Sequence, residues 1–178
     1  MQSTRLALGA VVACLAALLV ASGCGSTDKS TTPQAVTWAD GVCSAVTTYK
    51  SALGDTAATL KGGQLSKSAV HDAVKSVQSA TQDFTATLRD VGKPGTTAGA
   101  QAKATLDGLA SDLQKNAQTI RESTSGTALS AASVTSTTLL TAQSQVTAAF
   151  DKLTALDPKG ELHDAFSKAQ SCSSLEAS

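Results

Sequence analysis

The chain has 178 residues, a length suited to one domain. Lys plus Arg and Asp plus Glu are 14 each, so the formal charge is zero and no basic footprint for nucleic acid is present. Aromatic residues make up only 3%, which leaves few rings to stack on sugars or bases.

Met1-Gln2-Ser3-Thr4-Arg5 is a short, singly charged start. Leu6 to Ala21 (LALGAVVACLAALLVA) follows as an apolar run without charge or proline. At about 16 residues it falls short of the roughly 20 that a spanning helix needs. That order is the plan of a secretory signal peptide. The run closes on Ala21-Ser22-Gly23-Cys24, small residues leading directly into a cysteine. This stretch resembles the bacterial lipobox, with Ala at position 21 where Leu is commonest. The resemblance implies a diacylglyceryl group on the Cys24 thiol, cleavage between Gly23 and Cys24, and attachment to the outer face of a cell membrane. Two acyl chains hold a protein stably where one holds it only marginally. The Ala-, Ser- and Thr-rich remainder is similar to small helical lipoproteins of high-GC Gram-positive bacteria. On this reading residues 1–23 are a removable signal, 24–34 are the lipidated cysteine with a flexible tether, and 35–178 form the domain.

The tether, GSTDKSTTPQ, has no large apolar residue. Of the four cysteines, Cys14 leaves with the signal and Cys24 carries lipid on the lipobox reading. Cys43 and Cys172 remain, and thiols outside the membrane tend to become disulfides. A Cys43–Cys172 bond is therefore expected, closing a loop of about 130 residues and worth about 5 kcal/mol in the chain-entropy picture. The alternative is two free buried thiols.

From Val36 onward a helical period dominates. Ala39, Val42, Val46, Tyr49, Leu53, Thr56 and Leu60 mark one face of a first helix that ends near Lys61-Gly62-Gly63. Ser66 or Ser68 is placed to cap the second helix. Its stripe of Val70, Val74, Val77, Thr81, Phe84, Leu88 and Val91 alternates steps of four and three, a heptad seam. Gly92-Lys93-Pro94-Gly95 stops it. The third stripe is Ala102, Leu106, Leu109, Leu113, Ala117 (or Asn116) and Ile120, followed by a loop from Glu122 to Gly126. A fourth runs through Ala132, Ser136, Leu139, Gln143, Val146, Phe150 and Leu153. The β-branched SVTSTT stretch lowers helix propensity near its start, yet no strand alternation replaces the helical step. Asp157-Pro158 reads as a cap with proline at the first helical position of a short last helix carrying Leu162, Phe166, Ala169 and Cys172.

Four long stripes joined by short Gly/Ser loops predict an all-α, up-down-up-down four-helix bundle. A fifth, short C-terminal helix doubles back beside the first so that Cys172 reaches Cys43. The seams are lean in volume, and a covalent tie suits such a core. Similar chemistry at Phe84–Pro94 and Phe150–Pro158 reads as a duplicated hairpin or as convergent helix stops.

The residues that carry chemistry are sparse. His71 and His163 each sit beside a stripe residue, on the flank of a helix, where histidines are usually solvated. A di-iron bundle needs Glu-x-x-His on paired helices, whereas this chain has Glu161-Leu-His163 and only Glu122, Glu161 and Glu176. A metal held by Glu161, His163 and Asp164 is the sharper and less favoured reading of that cluster. The sequence has no Gly-x-Ser-x-Gly elbow, and the Gly92–Thr96 loop lacks the P-loop order. Asp83 with Asp90, and Asp107 with Asp112, fall on outward faces. Trp38, the single tryptophan, reads either as packing at the disulfide end or as a partner-facing anchor. No catalytic residue, metal ligand or cofactor site is assigned. The expectation is a non-enzymatic binding or scaffolding bundle of the cell envelope, touching the membrane through Cys24 and meeting an envelope protein or an apolar ligand. The alternatives are a carrier of a small apolar ligand or lipid between the helices and, least favoured, an enzyme.

Overall fold

The computed structural model describes residues 32–62 and 66–176, and these form six helices with no strand among them. They are α1 (Pro33–Gly62), α2 (Lys67–Asp90), α3 (Gly99–Ser123), α4 (Ala128–Ala155), α5 (Glu161–Lys168) and α6 (Gln170–Glu176). The apolar run, Cys14, the Gly23-Cys24 junction and most of the tether lie outside the described residues.

Consecutive helices pack on one another, α1 on α2, α2 on α3 and α3 on α4. Short connections make these pairs antiparallel, which gives the up-down-up-down bundle. The ring does not close by α1 lying fully against α4. Instead α5 and α6 pack along α1, and α5 also touches α4.

The stripes of α1 to α3 become most of the core, and on α4 Ala132, Leu139, Val146 and Leu153 are buried while Ser136, Gln143 and Phe150 are half-buried. Every residue of the α1 stripe is buried, as are Val70 to Leu88 on α2 and Leu106, Leu109, Leu113 and Ile120 on α3. Val91, at the end of the heptad seam, is half-buried. A fully buried Leu, Val, Ile or Phe contributes about 1.5–3 kcal/mol, so these larger side chains carry most of the apolar stabilisation. Between them stand buried alanines and four buried threonines. The threonine hydroxyls are satisfied without water. Thr56 donates to the Ala52 carbonyl at 2.8 Å, Thr135 to Ala131 at 2.7 Å and Thr85 to Gln82 at 3.1 Å. Thr81 pairs with the Tyr49 hydroxyl at 3.2 Å. A β-branched residue whose hydroxyl bonds its own helix fills a seam much as Val does, with no orphan polar atom.

Three boundaries differ from the sequence expectation. Helix α1 begins at Pro33, inside the stretch read as tether. Thr32 caps it, its Oγ1 accepting from the Ala35 N–H at 3.3 Å, and Pro33 takes the first helical position. Pro158 does not start a helix. Residues 157–160 form a turn, closed by Gly160 N–H to the Asp157 carbonyl at 3.2 Å, and α5 starts at Glu161. Asp157 still serves α5, accepting from the Leu162 N–H at 3.3 Å. The last helix is two helices. Ala169 is extended (ψ 122°), and the chain turns there before α6. The break lets Asp40 of α1 cap the new start, its Oδ1 accepting from the Ser171 N–H at 2.8 Å.

The capping of α2 falls on Ser66, whose Oγ accepts from the Ala69 N–H at 3.1 Å; Ser68 hydrogen-bonds to Ser66 instead.

Candidate functional site

The site is built at the end of the bundle where α1 begins and α4 finishes. Cys43 on α1 and Cys172 on α6 are bonded, with Cα atoms 5.0 Å apart across 129 positions of sequence. Nearby, the Phe166 ring of α5 lies edge-on between Trp38 (5.7 Å, 69°) and Phe150 (5.4 Å, 73°). Edge-to-face pairs of this kind add about 0.5–1.5 kcal/mol each beyond burial. The Trp38 indole N–H donates to the Gly92 carbonyl at 3.1 Å. Gly92 has φ 65°, a left-handed conformation that L side chains rarely adopt, and it turns the chain out of α2. Beside it, α1 and the end of α2 approach closely: a Cβ on Gly41 would meet Val91 Cγ1 at 2.8 Å. Trp38 is 3% exposed and is therefore packing, not a partner-facing anchor.

The wedge of α5 and α6 leaves a cleft of about 440 Å³ between itself, α1 and α4. Its apolar lining is Val46, Val146, Phe150, Phe166 and Leu175, with Cys172 of the disulfide in the wall. Lys50, Asp151 and His163 are the titratable groups on its surface, and Thr147, Thr154 and Ser167 supply hydroxyls. Among the described residues neither Lys50 nor Asp151 makes an ion pair. A concave, mostly apolar cleft of this size with a few polar groups at its margin has the character of a small-molecule site.

The structure separates the two histidines. His71 is exposed beside Asp72, near the turn that joins α3 to α4, whereas His163 is exposed on α5 at the other end. Asp107 and Asp112 hold exposed pairs within their own helix, with Lys103 at 2.7 Å and Lys115 at 3.1 Å. Among the described residues no group of three His, Cys, Asp or Glu side chains converges to hold a metal ion, and no helix is long and apolar enough to cross a membrane. Tyr49 is buried against Phe84, the rings stacked at 4.7 Å. Burial pushes its phenol pKa above the ordinary 10.0, and the Thr81 hydrogen bond opposes part of that rise.

Lys50, Thr147, Asp151 and Leu175 were not singled out from sequence. The only signal was negative: Lys50 and Asp151 directly follow the apolar Tyr49 and Phe150, positions that normally read as the edge of a solvated face.

The fold and cleft define a disulfide-tied, all-α bundle with a C-terminal helical clasp. No family model, curated protein or solved structure matches the chain.

Proposed function

We propose that this chain is an exported lipoprotein, held at the outer face of a cell membrane by lipid on Cys24, whose bundle binds a ligand without turning it over. The observation that carries the reading is the Cys43–Cys172 bond, which ties the first helix to the last. Bonds of this kind form and persist in oxidising compartments and are rare in reducing ones. An exported domain with a lean core gains most from such a tie. The leader and the Gly23-Cys24 junction supply the address; the chain order then hangs the bundle from the end that carries the clasp. From Cys24 to Pro33 the tether reaches about 30 Å at full extension. Binding is favoured over catalysis because His71 and His163 stand at opposite ends, each on an exposed flank.

A second reading, a carrier of an apolar ligand, is favoured by the cleft and is compatible with the first. The anchoring is tested by fractionating cells that express the chain. The wild type is expected in the membrane fraction with a mature first residue of Cys24, and Cys24→Ala is expected to leave that fraction. Retention of Cys24→Ala in the membrane overturns the anchoring.

A further inference from the structure

We propose that the cleft between α1, α4, α5 and α6 binds a single-chain amphiphile with a carboxylate head, the head at Lys50 and the chain across Phe150 and Phe166. This rests on the binding reading above and names its ligand class.

The polarity of the cleft sets both class and direction. Lys50 lies one turn beyond Val46 on α1, and Asp151 lies one turn beyond Thr147 on α4. The two helices are antiparallel, so those steps run in opposite directions along the cleft. Lys50 thus stands toward one mouth, and Asp151 toward the other, where α4 turns into α5. Between them the lining is mostly apolar, from Val46, Val146, Phe150, Phe166 and Leu175, with the hydroxyls of Thr147, Thr154 and Ser167 and the exposed imidazole of His163 beside it. An anion placed at the far mouth would face the Asp151 carboxylate, and a cation at the near mouth would face the Lys50 ammonium. A carboxylate amphiphile entering head-toward-Lys50 meets neither conflict, and it gives Lys50 the partner it lacks among the described residues. Its chain replaces water over two aromatic rings, worth about 0.8 kcal/mol for each methylene fully buried.

The disulfide gives the cleft a fixed wall. Cys172 lines it directly and Leu175 follows one turn later on α6, a helix of seven residues that the Cys43 bond and the Asp40 cap hold in place. A wall this short would not keep its position alone, since isolated helices shorter than about 12 residues are marginal in water.

The test is a titration of the purified full chain, disulfide intact, with palmitate carrying a ¹³C carboxyl and kept below its micelle concentration. One saturable equivalent with a shifted carboxyl resonance is expected. Lys50→Glu should weaken binding about tenfold or more, Lys50→Arg should retain it, and methyl palmitate should bind more weakly than palmitate. Thr147→Trp should abolish binding by filling the cleft; Thr147 is exposed, so the bundle should melt as the wild type does. Reduction of the disulfide should also release the ligand. Absence of a saturable site in the oxidised wild type overturns the proposal, as does undiminished binding in both Thr147→Trp and Lys50→Glu. Anchoring is read separately: a Cys24→Ala chain that leaves the membrane while wild type fails to bind palmitate removes the ligand and keeps the anchor, and the reverse pair of results removes the anchor and keeps the site.

Discussion

At the end of the bundle where α1 begins and α4 finishes, residues distant in sequence are joined to one another. Cys43 is bonded to Cys172, Asp40 caps α6, Trp38 reaches Gly92, and Phe166 touches both Trp38 and Phe150. At the opposite end, where α1 finishes and α4 begins, the hydrogen bonds are local. Ser66 caps α2, Thr127 caps α4 by accepting from the Ser130 N–H at 3.2 Å, and Leu129 is left 71% exposed. The chain has one Trp, one Tyr and three Phe. Trp38, Phe150, Phe166 and the Cys43–Cys172 bond all sit at the clasped end, so long-range order is concentrated where the scarce, bulky or covalent groups are. The rest of the bundle relies on its Leu, Val, Ala and Thr seams, on the Tyr49–Phe84 stack and on caps. The cleft lies toward the end that is held most firmly, which is where a binding surface keeps its shape.

The largest break in that comparison comes from Cys43→Ala with Cys172→Ala. Freeing the 129-residue loop should cost about 5 kcal/mol in chain-entropy terms, read as a lower denaturant midpoint. Hydrogen exchange should localise the damage: α6 amides lose protection first, while those of α2 and α3 open only with the whole domain. Equal early loss at both ends would show that the clasp is not a local device. A smaller break is Trp38→Phe. It keeps an aromatic ring beside Phe166 and removes the indole donor to the half-buried Gly92, and should cost about 1–1.5 kcal/mol by chemical denaturation, the range for losing one hydrogen bond whose acceptor water can still reach.

How much of this was legible in the sequence follows the same division. The stripes were legible because a helix in a bundle must bury one face, and the 3.6-residue period records that demand directly. Val70 to Leu88 could be read off and are buried. The disulfide was legible because cysteines are few. The start at Thr32-Pro33 had a local signal, a capping residue before proline, obscured by the Ser/Thr-rich run in front of it. The break at Ala169 had no local signal: an alanine between helical segments says nothing, and what favours the turn is Asp40, which caps Ser171 across 131 positions of sequence. The cleft was invisible for the same reason. Its lining comes from four helices, and only the packing of α5 and α6 along α1 opens it.

Tyr49 stands in the α1–α2 seam and sharpens the comparison, because it is the aromatic stitch that links neighbouring helices rather than the chain ends. Its buried phenol holds a proton more tightly in the folded chain than in the unfolded one. That contribution is complete below the ordinary 10.0. It is lost as pH rises from there through the raised native value, since the unfolded phenol ionises first. Tyr49→Phe should remove this alkaline loss and cost about 1 kcal/mol at neutral pH through the lost Thr81 bond. Melting curves between pH 8 and pH 11 decide it. An unchanged alkaline slope in Tyr49→Phe would assign the pH dependence to other groups.

The smallest expected effect tests whether the two ends are independent. Ser66→Ala removes the acceptor for the Ala69 N–H and should cost about 1 kcal/mol; Ser66→Gly should cost only a few tenths, because water then reaches the free donor. The informative version adds Ser66→Ala to the chain already lacking the disulfide. Sites at opposite ends share no partner, so the two costs should add within about 0.5 kcal/mol. A coupling above about 1 kcal/mol would mean that α2 fraying is felt by the clasp. Transmission along α1 is the physical route for it, since α1 contacts both α2 and the α5–α6 pair. Additivity would establish the bundle as a firmly held cleft at one end and a locally capped, separately tunable set of turns at the other.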